Sequence, residues 1–440
     1  AAWPPAGVFG MSYLTLYLVV ALAAVALYLV RQRRRQRTSA AELQQSVENG
    51  LNEPPSLHPV VHAAVCVGSG ACIKACPEGA LGMVAGKAVL INAAACIGHG
   101  ACHAACPHEA ISLVFGTEKR GVDIPSVSPN FETNVRGIYV AGELGGMGLI
   151  RKAAEQGRQA IESLRKNSRG SFDFDVVIVG CGPAGISAGL SAIQHKLRYK
   201  VIEQEESLGG AVFHYPRQKV AMTAPVKLAL VGTVKFSEVQ KEKLLAFWQD
   251  VVKKTDLEIG FRECMEGIDR EGEGFVVRTA GGATYRTRSV LLTMGRRGTP
   301  RKLNVPGEES SKVTYRLIDP QQYAGQSILV VGGGDSALEA AIALGELSTV
   351  DVLLSYRSAA FSRVKQKNRA RLSELQQAGR IRVLLSSTVK HIGAAEVVIE
   401  HDGQVHTYRN DAVIVCAGGL LPTLLLQEIG IEFNTKYGAP

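Results

Sequence analysis

"VVIVGCGPAGISAG", residues 176–189, decides the fold. An apolar run ends at Gly180, and Gly180, Gly182 and Gly185 give G-x-G-x-x-G ahead of a helical pattern. The first glycine makes a tight turn, and the second lets a pyrophosphate approach the backbone. The third lets helix and strand pack closely, with the phosphates at the helix N-terminus. The spacing alone is weak evidence. The next strand-like run, "YKVIEQEESLGG", carries Glu203, which is 203 − 180 = 23 positions beyond the first glycine. A carboxylate for ribose hydroxyls belongs there. The stretch therefore predicts a dinucleotide site on a βαβ unit.

A second fingerprint lies downstream. "ILVVGGGDSALEAA", residues 328–341, places Gly332, Gly334 and Ala337 in G-x-G-x-x-A, with Asp335 and Ser336 at the start of the helix. Here 332 + 23 lands on Ser355, so the acid that marks the first site is absent, and Arg357 and Arg363 follow. A carboxylate would repel a ribose 2′-phosphate, while an arginine fork binds one. NADPH is the expected coenzyme, with NADH possible. Strand-like runs at 174–179, 200–203 and 327–331 alternate with amphipathic helices, as parallel α/β sheets require. The fold class is α/β, with two Rossmann-type domains.

The combined pattern resembles the thioredoxin reductase-like pyridine nucleotide flavoproteins over roughly residues 121–440. "GGGDSALEAA", "SVLLTMGRRGTPRKLNVPGE" at 289–308 and "DAVIVCAGGLLPT" at 411–423 carry the resemblance. It implies FAD at the first fingerprint, with Gly210 and Gly295 beside it, NAD(P)H at the second, and a homodimer. One segment is out of order. The strand that ends the family's flavin domain near its C-terminus resembles "TNVRGIYVAGELGGMGLIRKAAEQG" at 133–157, ahead of the first fingerprint. That order implies a circular permutation, with Gly142 and Glu143 near the flavin. Thioredoxin reductases of this type carry a C-x-x-C pair in the nicotinamide domain. Here Cys181, Cys264 and Cys416 are isolated in sequence, so disulfide reduction is not the expected main activity.

Six of the nine cysteines fall between 66 and 106 in an internal duplication, "CVGSGACIKACPEGAL" and "CIGHGACHAACPHEAI". The bacterial ferredoxin run is C-x2-C-x2-C-x3-C-P, its fourth cysteine serving the other cluster. Ser69 and His99 fill the second positions. One cluster is then expected on Cys66, Cys72 and Cys106, the other on Cys96, Cys102 and Cys76, each 4Fe–4S or 3Fe–4S. His99 is either a ligand or a neighbour hydrogen-bonded to one, and zinc is the rival to iron.

Residues 1–30 carry no charge, and 9–30 are almost entirely apolar. As a helix that run spans about 30 Å, one bilayer core. Arg31, Arg33, Arg34, Arg35 and Arg37 follow it and supply five charges of the net +9. Lys and Arg stay cytoplasmic, so the N-terminus is expected outside and the rest within. A signal peptide would carry its charge ahead of the apolar run. The residues before Met11 read as an upstream extension. With that cluster set aside the chain is mildly basic, with no nucleic-acid footprint.

The expected domains are 1–37, tail and transmembrane helix; 38–59, a polar linker with room for a short helix over 40–47; 60–118, ferredoxin-like; 119–310, FAD-binding, with 119–169 the permuted segment, completed by 418–440; and 311–417, NAD(P)H-binding. The expected function is a membrane-anchored oxidoreductase passing electrons between NADPH, FAD and two iron–sulfur clusters, to or from a protein or quinone. The alternatives are a non-catalytic relay or assembly subunit of a membrane complex, and a disulfide reductase. No protein acid, base or nucleophile stands out.

Overall fold

The computed structural model describes residues 8–440 except 49–53, 55–56, 119–120, 147, 168–171, 216, 218, 224, 237, 297–298, 362–363, 421 and 439–440. Two compact units divide at Val114/Phe115.

The first unit opens with one helix, Val8–Glu48, 41 residues long. The short helix expected over 40–47 is here continuous with the apolar one, through residue 48. The reason is local: "TSAAELQQSVE" is polar but rich in strong helix formers, and neither Gly nor Pro occurs between Met11 and Glu48. The apolar part faces outward, with Tyr17 72% and Leu22 61% exposed. The polar end is seated on the cysteine module. A Cβ on Gly82 would lie 2.6 Å from Ser39 Oγ and 2.6 Å from Ile91 Cδ1, so glycine lets the helix approach the strand Leu81–Val84.

The cysteine module has internal symmetry. His58–Val61 pairs antiparallel with Ile111–Val114, and Leu81–Val84 pairs antiparallel with Lys87–Leu90. Short helices Ala71–Ala75 and Ala101–Ala104 each follow a left-handed glycine, Gly70 and Gly100. Ala80, Leu81, Ala110 and Ile111 form the small core beside the cysteines.

In the second unit, a seven-stranded sheet carries the first fingerprint. Its order is Ile259–Phe261, Tyr199–Glu203, Phe174–Val179, Thr284–Leu292, Gly274–Thr279, Met265–Glu271. Thr284–Leu292 joins two patterns. Its first half pairs antiparallel with Gly274–Thr279, and its second half runs parallel to both Phe174–Val179 and Ile138–Val140. Ile138–Val140 therefore enters the central sheet from ahead of the fingerprint. The helix Ile150–Leu164 packs on Pro183–Gln194. A Cβ on Gly157 would sit 2.0 Å from Ala184 O, so glycine sets that contact. The end of the chain returns to this region: Phe433–Lys436 pairs with Val122–Pro125, and Leu426 and Ile431 share a core with Ile138 and Val290.

Five parallel strands carry the second fingerprint, in the order Val313–Thr314, Ala412–Val415, Ser327–Val331, Asp351–Ser355, Ile381–Leu384. A three-stranded antiparallel sheet spans Ser387–Ile392, Glu396–His401 and Gln404–Arg409.

Candidate cofactor and cluster sites

At the first turn, Gly180 has φ +102°, and an added Cβ would lie 2.8 Å from Thr293 O. Thr293 Oγ1 lies 2.9 Å from Val179 O and 2.8 Å from Gly180 O, sharing its proton between them. At Gly185 a Cβ would stand 1.9 Å from Gly180 O. Gly182 and Gly210 face each other, a Cβ on Gly210 meeting Gly182 Cα at 3.0 Å. Two bare backbones thus form a cradle at the start of the helix Pro183–Gln194, which has no side-chain cap at Gly182. A pyrophosphate fits such a place, where amide N–H groups point outward.

Glu203 stands at the end of the neighbouring strand, 5% exposed. Its Oε2 accepts from Cys181 N–H at 2.6 Å and its Oε1 from Glu205 N–H at 3.1 Å. Burial pushes its carboxyl above the usual range, opposed by those backbone donors. Each oxygen keeps a further lone pair for a ribose hydroxyl.

The segment ahead of the fingerprint comes to the same place. Gly142, at φ +82°, donates its N–H to Gln156 Oε1 at 2.9 Å, and an added Cβ would lie 3.1 Å from Ala184 Cβ. A Cβ on Gly295 would lie 3.8 Å from Glu143 Oε2. Arg296 donates to Asp123 O at 2.9 Å. Burial lowers the pKa of this arginine, and Glu143 and Asp123 counter the shift. Sequence reasoning missed Thr293, Gln156 and Arg296. The one signal for Thr293 was its place after a strand and two residues before Gly295.

The second turn is close at Gly332 and open at Gly334. A Cβ on Gly332 would meet Cys416 O at 2.4 Å and the existing Ala337 Cβ at 3.1 Å, while Gly334 faces open space. Asp335 Oδ1 accepts from Lys365 N–H at 3.0 Å and from Asn368 Nδ2 at 2.7 Å, so its carboxylate ties down the start of the helix Gln366–Gln377. Ser336 is exposed. Ser355 is 1% exposed and its Oγ lies 2.7 Å from Ser387 Oγ. Ser387 Oγ in turn donates to Leu384 O at 2.8 Å, which leaves Ser355 as donor in the serine pair. Arg357 is exposed, and Arg363 lies outside the described residues. Between Ser355 and Arg357, the Tyr356 ring covers Gly333, 2.2 Å from an ideal Cβ there, and stacks on Phe361 at 5.5 Å. Tyr356 was also missed, because nothing in its neighbours marks it.

The module cysteines of the two repeats act on one another. Burial pushes the Cys72 thiol up, and Cys106 and Cys66 add to the shift. Burial pushes Cys96 up to about 11, with Cys102 and Cys76 adding to it. Cys102 is raised by burial and then by Cys76 and Cys72. Thiols that raise one another's pKa need an adjacent cation to ionise, as iron would supply. A cavity is lined by Cys76, Cys96, His99 and Cys102. Burial holds the His99 imidazole below its usual pKa, opposed by Glu78. Among the described residues no three His, Cys, Asp or Glu side chains close tightly around a single ion. A tetrahedral zinc with Zn–S of about 2.3 Å would draw its thiolates to about 3.8 Å apart.

Comparison with known proteins places these features in a family. The 4Fe-4S dicluster domain profile matches residues 58–107. A ferredoxin–NADP reductase of Ignicoccus hospitalis is 28% identical over 271 residues, covering 60% of this chain and 83% of that protein. The bacilliredoxin reductase Bdr of Bacillus subtilis is 26% identical over 270 residues, covering 60% and 82%. The solved bacillithiol disulfide reductase Bdr of Bacillus cereus is 25% identical, with a TM-score of 0.52 over 58% of this chain and 81% of that one. These similarities make the chain an NAD(P)H-dependent flavin oxidoreductase with a 4Fe–4S ferredoxin domain. The pyridine nucleotide-disulphide oxidoreductase profile matches residues 177–440, and the chain belongs to that family.

Proposed function

We propose that this chain is a membrane-anchored enzyme passing electrons between NADPH, FAD and two iron–sulfur clusters, to or from a protein or quinone acceptor. One observation carries the reading: six cysteines in the stretch that matches a 4Fe-4S dicluster domain occur in one chain with two glycine turns, only one of which has a buried carboxylate. When bound, the flavin exchanges hydride with the nicotinamide and single electrons with the clusters. The protein's part is to bind and orient. Gly180, Gly182, Gly185, Gly210 and Glu203 would hold FAD, with Gly142, Glu143 and Gly295 beside it. Gly332, Gly334, Ser336, Ala337 and Arg357 would hold NADPH, and Asp335 would fix the loop ahead of the next helix.

The isolated cysteines favour electron exit through clusters over disulfide exchange, for which the thiolate is the nucleophile. Cys181 is fully buried, and burial together with Glu203 pushes its pKa strongly upward. Cys264 is also raised by burial.

The segment at 133–157 takes the part that a C-terminal segment plays in the resembling flavoproteins, which makes the flavin domain a permuted one. The pairing of Ile138–Val140 with Thr284–Leu292 supports this, as does the return of Phe433–Lys436 to Val122–Pro125. The exposed apolar half of the helix Val8–Glu48, followed by five arginines, supports anchorage with the N-terminus outside. Removing residues 1–37 keeps Ser39 on Gly82, and should turn a detergent-requiring protein into a soluble, flavin-loaded one. Recovery of the full chain in the soluble fraction would refute anchorage.

The electron route has its own test. Replacing Cys72 and Cys102 with Ala removes one thiolate from each triplet and touches neither glycine turn. The variant should keep FAD, and NADPH should still bleach it. Small dyes should still be reduced, while reduction of a ferredoxin or cytochrome should fall at least tenfold. Parental rates with the protein acceptor would show that the clusters are not the exit.

A further inference from the structure

The two halves of the cysteine module have the same backbone and different surroundings at one position. Gly68 and Gly98 have φ +74° and +79°, and Gly70 and Gly100 both have φ +71°. Residues 69 and 99 are therefore presented by the same left-handed–x–left-handed turn, each followed by a short helix with a buried cysteine, Cys72 or Cys102. In a ferredoxin run, this turn delivers the second cysteine.

Ser69 is exposed. A serine must also lose a tightly held proton to ligate. His99 is half-buried on the wall of the cavity lined by Cys76, Cys96 and Cys102. Three thiols and one imidazole are four donors, a complete set for one cluster. Glu78 lines the same cavity as His99. A carboxylate beside a ligating histidine commonly fixes its tautomer and ring orientation.

We propose that His99 is the fourth ligand of the cluster held by Cys76, Cys96 and Cys102, oriented by Glu78, and that the site of Cys66, Cys72 and Cys106 has only solvent-exposed Ser69 in that place. This rests on the two-cluster reading above. It makes the clusters unequal in ligand set: an imidazole in place of a thiolate adds no negative charge, so the histidine-ligated cluster accepts an electron more readily than it would with a fourth cysteine.

The test uses full-length protein in detergent, purified without oxygen and reduced with dithionite. Pulsed EPR is recorded on protein carrying ordinary or ¹⁵N-labelled histidine. The expected result is a directly coordinated nitrogen whose signal changes with the label and is lost in His99→Cys. That variant should keep its iron content, and one of the two reductive waves should shift to lower potential while the other stays. Ser69→Ala should leave the nitrogen signal intact. Clusters present in the parent without a coordinated histidine nitrogen would overturn this inference and leave the two-cluster reading standing. Absence of any cluster signal would overturn both. Labelling the parent keeps the inference falsifiable even if His99→Cys fails to fold.

Discussion

Gly185 and Ala337 hold the third place in the two glycine turns, and the turns tolerate different things there. At 185 an added Cβ would stand 1.9 Å from Gly180 O and 2.8 Å from Thr293 Oγ1. At 337 the Cβ is already present, buried, and 3.1 Å from where a Cβ on Gly332 would be. The residues that follow 23 positions after each first glycine also diverge. Glu203 is buried and still offers lone pairs, while the Ser355 hydroxyl is turned into a serine pair. The first turn is tight and carries its own acceptor, which fits a cofactor that stays. The second has open space at Gly334 and an exposed Arg357, which fits a coenzyme that comes and goes.

The sharpest way to break this contrast is to swap the third positions. In Gly185→Ala the new carbon meets backbone, which cannot swing aside. We expect a loss of about 3 kcal/mol or more, the upper range for overpacking, and little flavin retained. Ala337→Gly loses only a small side chain from a helix, about 1 kcal/mol. Thermal melting and flavin absorbance per chain check both. Gly185→Ala with a full flavin complement and a parental melting temperature would show that the two turns are equivalent.

A smaller effect is expected at the coenzyme. Arg357 is the described cation beyond Ser355. Losing one charge-assisted contact is worth about 1.5–3 kcal/mol. Arg357→Ala should therefore raise the KM for NADPH roughly tenfold or more and leave that for NADH nearly unchanged. Equal changes for both coenzymes would remove the 2′-phosphate from the argument.

Much of this was legible because cofactors dictate glycine spacing. Gly180, Gly182 and Gly185, and then Gly332, Gly334 and Ala337, mark strand ends that are seen at Val179 and Val331. The six cysteines announced the 4Fe–4S domain because duplication preserves spacing. What escaped depends on contacts far apart in sequence. A short helix was expected over 40–47, but its continuity with the apolar run was not, because polarity was read as a boundary where propensity and the absence of a stop signal favour one helix. Its seat on Gly82 could not be read at all. Asp335 stood in the second fingerprint as a cofactor residue, yet its carboxylate is engaged by Lys365 and Asn368, thirty and more positions away. Short strands such as Val220–Met222 and Glu238–Gln240 carry too few residues to show alternation.

The smallest expected effect separates two explanations of coenzyme choice that Arg357→Ala alone leaves joined. Ser355 could act by touching the ribose, or only by not being an acid. Its side chain is 1% exposed and donates to Ser387 Oγ at 2.7 Å, and Ser387 is itself anchored on Leu384 O. That chain of bonds ties the strand Asp351–Ser355 to the start of the strand Ser387–Ile392. Ser355→Ala removes one donor but leaves no donor stranded, because Ser387 keeps its own acceptor. The cost should be about 1 kcal/mol of stability, the net worth of an ordinary hydrogen bond. The ratio of kcat/KM for NADPH over NADH should stay within about twofold of the parent, well under the roughly tenfold change expected for losing a charge-assisted contact. A drop in that ratio as large as that of Arg357→Ala would mean that the hydroxyl leaves its partner to meet the coenzyme. The two turns would then differ in charge alone, and not in whether the residue at this position faces the ribose.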